Sequence, residues 1–104
     1  MDQRSIAIIH DGLSQRKRLK KTLEGILENL GAEKEVIACR NYFELIGKEP
    51  VIILTQLNEV KSVEKHFPQS LIAAIGENGN EHPPGLKMIK SEADIHQLVS
   101  NHLK

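Results

Sequence analysis

Aromatic side chains are scarce in this chain: 104 residues hold no tryptophan, one tyrosine and two phenylalanines. A surface that stacks nucleobases needs several aromatic faces, so the scarcity argues against one. Cys39 is the single cysteine; no internal disulfide can form, and nothing points to an oxidising compartment. The formal net charge is zero, from 14 basic and 14 acidic residues. That removes the global electrostatic case for nucleic acid or an anionic membrane as the main partner. No apolar stretch approaches the roughly 20 residues of a membrane-spanning helix. The start, Met1-Asp2-Gln3-Arg4-Ser5, lacks a signal-peptide pattern, so a cytoplasmic location is expected. The length suits one domain, residues 1–104, without room for a second core.

Against these absences stand three short apolar runs, at residues 6–9, 51–54 and 71–75, each ending abruptly. Their exits read His10-Asp11, Thr55-Gln56 and Gly76-Glu77, and a weaker run at 86–89 exits into Lys90-Ser91. Runs without polar alternation suit strands buried on both faces, as in a parallel sheet covered by helices. Functional groups of open α/β sheets collect beyond the carboxyl ends of such strands, so the exits are where a site is expected.

Between the strands the pattern turns helical. Leu19, Leu23, Ile26, Leu27 and Leu30 recur at helical spacing, and Gly31 supplies the stop. Residues 35–39 form the second predicted strand. Asn41 with Glu44, and Ser91 with Asp94, have the spacing of capping boxes, and Asn58 is the predicted cap of the helix that ends at Pro68. The segment from Gly76 to Gly85 is too rich in Gly, Asn and Pro to be helical. The order β-α-β-α-β-α-β-loop-β-α predicts a flavodoxin-like, doubly wound, five-stranded parallel sheet in order 2-1-3-4-5, its fourth helix replaced by a loop.

Taken with the residues at their exits, these strands resemble the receiver domain of two-component response regulators over nearly the whole chain. In that family the first strand ends in a pair of acids that hold Mg²⁺; here His10-Asp11 stands there, followed by Arg16 and Leu19 at a familiar spacing. The aligned phosphoacceptor is Thr55, the aligned switch residue is Ile75, and Lys90 matches the family lysine, followed by Ser91 in place of proline. These departures decide the chemistry that the resemblance implies. Transfer to a receiver requires a carboxylate nucleophile and a metal held by neighbouring acids. The resemblance therefore implies a pseudo-receiver, with its phosphorylation-site positions degenerate at His10, Asp11, Thr55, Ile75 and Lys90. Neither metal nor cofactor is expected, and the output surface around the family's fourth helix does not carry over.

Each of these residues also has a plainer reading. Asp11 is a remnant metal ligand or a partner for Lys90 across the strand ends, and its plainer reading is a turn residue before Gly12. Thr55 ends its strand with a hydroxyl that satisfies local backbone. Cys39 is read as a buried structural residue; its alternative is a thiolate nucleophile working with His10 in a phosphocarrier or small enzyme. His66, His82, His96 and His102 show no close metal-ligand spacing. The basic cluster Arg16, Lys17, Arg18, Lys20 and Lys21 reads as a solvated helix face offset by Glu24 and Glu28. Its functional alternative is a patch for a partner protein or, less in keeping with the charge balance, nucleic acid. The sequence thus leads to a non-catalytic signalling module that docks a kinase, regulator or output protein, with a homodimer left open.

Overall fold

The computed structural model describes residues 5–32, 34–75 and 87–103. The expected Gly76 to Gly85 loop in place of a fourth helix lies outside them. Strands β1 (Ser5–Ile9), β2 (Glu35–Cys39), β3 (Ile52–Gln56), β4 (Leu71–Ile75) and β5 (Lys87–Ile89) form one sheet. Its order is β2-β1-β3-β4-β5 and every pairing is parallel. This is the flavodoxin-like α/β arrangement expected from the exits. Helices α1 (Leu13–Leu30), α2 (Val60–His66) and α3 (Glu92–Leu103) lie among the described residues, with 3₁₀ turns at Tyr42–Leu45 and Leu57–Glu59. No helix among the described residues is long and apolar enough to cross a membrane.

The unbroken apolar strands work because both sheet faces are covered. On one face Ile6, Ile8, Ile52 and Leu54 pack with Leu23, Ile26 and Leu27 of α1 and with Ile95 and Val99 of α3. On the other, Ala7, Ile9, Cys39 and Ile53 pack with Leu45, Val63 and Phe67. Each large aliphatic side chain so buried contributes about 1.5–3 kcal/mol. Gly31 closes α1 at φ 68°, where its N–H reaches the Glu28 carbonyl. A residue with a Cβ would be strained in that left-handed turn.

Caps and strand ends differ from the sequence pattern in three places. Asn41 caps the first 3₁₀ turn by accepting from the Phe43 N–H at 3.0 Å. The Glu44 carboxylate, however, takes the N–H of Arg40 at 3.1 Å, one residue upstream of a capping-box partner. At α3, Ser91 Oγ accepts from the Asp94 N–H at 3.4 Å while Asp94 takes the Lys90 N–H at 2.9 Å. Asn58 does not cap α2. Strand β3 runs on to Gln56, so Asn58 falls inside the 3₁₀ turn, and no side chain caps α2.

Candidate functional site

The exits of β1, β2 and β3 converge because their registers are level: Ile9 pairs with Cys39 on one side and Thr55 on the other. The next residue on β3 is Gln56, and it takes the position that Thr55 was expected to hold. Thr55 is fully buried, one residue short of the strand end. Its hydroxyl donates to the Gln56 carbonyl at 3.4 Å, the local backbone role read from the sequence. It does not face the exit, because β3 continues through Gln56 and side chains alternate along a strand.

Gln56 and Asp11 bond reciprocally. The Asp11 N–H donates to Gln56 Oε1 at 3.0 Å, and Gln56 Nε2 donates to Asp11 Oδ1 at 3.2 Å. One amide therefore satisfies both a backbone donor and a carboxylate oxygen, clamping the β1 exit to the β3 exit. The Asp11–Lys90 pairing is not formed. Lys90 stands just beyond β5, separated from β1 by β3 and β4, and its backbone N–H is taken by Asp94. Ile75 ends β4 beside Gln56 and Ile89, and packs against the α1/α3 core.

His10 is held from three directions. Its N–H donates to the Cys39 carbonyl at 3.1 Å, extending the β1–β2 ladder by one bond. Nδ1 accepts from the Gly12 N–H at 2.9 Å, so that nitrogen carries no proton and the ring hydrogen sits on Nε2. Asp11 Oδ1 lies 3.7 Å from Nδ1, but two acceptors do not make an ion pair. The third hold is Arg16, whose Nη1 donates to the His10 carbonyl at 2.7 Å. The close packing also explains Gly12: a Cβ there would stand 3.2 Å from ring atoms of His10.

Arg16 is thus separated from the basic cluster in which the sequence placed it. Lys17, Arg18, Lys20 and Lys21 stay exposed on α1, whereas Arg16 turns back to fasten the helix start to the strand end. A charge-assisted bond of this kind, half-exposed, contributes about 1 kcal/mol. Arg16→Ala will lower unfolding stability by about that amount in urea denaturation, and a loss below about 0.3 kcal/mol would show the contact to be idle.

Cys39 sits at the β2 exit but points into the core, its thiol donating to the Ile8 carbonyl at 3.5 Å. Burial pushes the thiol up to about 11, with the Glu44 carboxylate adding and Arg16 partly offsetting. Only about one thiol in ten thousand is then ionised at neutral pH, the opposite of a nucleophile's setting. Among the described residues no group of three or more His, Cys, Asp or Glu side chains could hold a metal.

No protein-family model matches the chain, and no curated protein or solved structure matches it. The site therefore rests on its own geometry. Gln56 is the residue the sequence reading missed. Its signal was present in the dipeptide Thr55-Gln56, where a β-branched residue continues a strand as readily as it ends one.

Proposed function

We propose that this protein is a non-catalytic, receiver-like regulatory module that docks another protein through its strand-exit face without aspartyl phosphorylation. The observation that carries this reading is the reciprocal Asp11–Gln56 bond. Where the resembled receivers gather carboxylates for a metal and a phosphoryl group, the described residues at the β1 and β3 exits hold one, Asp11, and an amide already occupies it. An amide cannot form the acyl phosphate that the switch requires. His10 adds no oxygen ligand for Mg²⁺, which demands them. The face remains polar, with exposed Asp11 and Lys90 at its ends and Lys17, Lys20 and Lys21 on the adjoining helix. Such a surface suits recognition of a partner of mixed charge.

The test is an amide-resolved NMR titration with Mg²⁺ and either beryllofluoride or acetyl phosphate. The spectrum is expected to stay unchanged at the exits of β1, β3 and β5. Saturable shifts confined to Asp11, Gln56 and Lys90 would overturn the reading. A partner captured from the native host should be lost with Asp11→Arg and Lys90→Glu together, and retention in that variant would move the docking surface elsewhere.

A further inference from the structure

The chain's few aromatic rings gather in one place, with Phe67 buried in the core, Tyr42 half-buried against it and Phe43 exposed. Tyr42 lies with its ring centroid 4.5 Å from Phe43 on one side and 4.5 Å from His66 on the other. Phe67, the remaining aromatic residue, lines the adjoining groove with Ile46, His66 and Pro68. His66 is fixed in this row because a carbonyl can only accept: its Nδ1–H donates to the Ser62 carbonyl at 2.8 Å. The groove holds about 440 Å³. Phe43 is 63% exposed and Ile46 61% exposed, the two most exposed large apolar side chains among the described residues.

Phe67 serves the core, but leaving Phe43 and Ile46 in water costs free energy that folding does not recover. Aromatic residues concentrated on a surface are a mark of binding hot spots. The patch shares no residue with the strand-exit cluster, so its role is separate from docking there.

The charges around the patch indicate what covers it. Lys48 and Glu49 line the groove, and Glu44 and Lys65 adjoin Phe43 and His66 in sequence. Two basic and two acidic groups leave nothing to attract a strongly charged partner of either sign. A patch of balanced sign can pair with a second copy of itself across a two-fold axis, where Lys48 of one copy can face Glu49 of the other. The zero net charge of the whole chain also leaves no long-range repulsion between copies.

We infer that this protein self-associates through an isologous contact of the Tyr42–Phe43–Ile46–His66 patch with the same patch of a second copy. With Phe43 and Ile46 as its exposed large apolar side chains, the patch is small against the roughly 20–30 residues a side of a standard interface. Association is therefore weak, with a dissociation constant of roughly tens to hundreds of micromolar.

Sedimentation equilibrium of the full chain from about 5 to 500 µM reads this directly. The mass average is expected to rise from monomer toward dimer across that range. Phe43→Ser and Ile46→Ser, both at exposed positions that leave the core intact, should each weaken association about tenfold or more. Lys48→Glu should weaken it too, and combining it with Glu49→Lys should restore it, because the balance of signs returns. A monomer at every concentration overturns the proposal and assigns the patch to a different protein. A dimer indifferent to Phe43→Ser, Ile46→Ser and the charge changes overturns it as well, and places the interface on another face.

Discussion

Thr55→Asp, the substitution that would seem to restore a receiver's phosphoacceptor, will cost the protein about 4 kcal/mol or more at pH 7. Thr55 is fully excluded from solvent, flanked in register by Ile9 and Ala74. A carboxylate placed there loses its hydration and gains no cation, since no basic side chain is paired with that position. Against a total stability of about 5–15 kcal/mol for a domain of this kind, the variant will be largely unfolded or close to it. The penalty falls on the ionised form, so the aspartate's folded pKa is raised. The destabilisation is then full at neutral pH and shrinks as pH falls toward the unfolded value of about 3.9. Thr55→Val, by contrast, should change stability by less than about 1 kcal/mol, because it gives up only one long hydroxyl contact. Gln56→Asp should fold, since its site is half-exposed, at a cost of about 1–2 kcal/mol for the lost clamp and the facing Asp11 carboxylate. Urea unfolding at pH 7 and pH 4 separates these cases. A Thr55→Asp protein within about 1 kcal/mol of wild type would show that Thr55 reaches water after all.

The contrast between Thr55 and Gln56 marks where the sequence was legible and where it was not. Strand identity and sheet order were readable because Ile6–Ile9, Val51–Leu54 and Leu71–Ile75 are apolar without alternation, a pattern tied directly to two-sided burial. The stop at Gly31 was readable for a similar reason, a backbone need that one residue type meets. Where β3 ends was not readable to the residue. Hydrophobicity stops at Leu54, but the strand continues through Thr55 and Gln56 because the ladder to β4 continues. A slip of one position reverses which side chain faces inward, so the candidate site moved from a buried hydroxyl to a half-exposed amide. Arg16 was hidden differently. Its neighbours Lys17, Arg18, Lys20 and Lys21 suggest a charge cluster, whereas its long side chain lets it reach back six residues to the His10 carbonyl. Composition could not show that the three aromatic residues converge, because Tyr42 and Phe43 lie some 24 positions from Phe67 and only the sheet brings them together.

Cys39 will make the protein's stability fall between pH 9 and pH 11. Its thiol is pushed from 9.0 to about 11 in the folded protein, chiefly by burial. A thiol that ionises more readily when unfolded binds more protons in the native state between those values, and stability declines as pH rises through that window. Below pH 9 the contribution is fully present; above pH 11 it is lost, a difference of about 2–3 kcal/mol. The measurement is the difference between wild type and Cys39→Ala. The variant should be about 1 kcal/mol less stable at pH 7, from the small void and the lost contact to the Ile8 carbonyl. It should equal or exceed wild type by pH 11. The same physics governs reactivity. Native Cys39 should react with a disulfide reagent at least about 100-fold more slowly than the unfolded chain, from the two-unit difference in ionisation alone. Parallel stability curves for the two proteins from pH 8 to 11, or native labelling at the unfolded rate, would mean an accessible thiol at the β2 exit. The phosphocarrier reading of Cys39 with His10 would then regain its footing, because a nucleophile would stand one ladder bond from the imidazole.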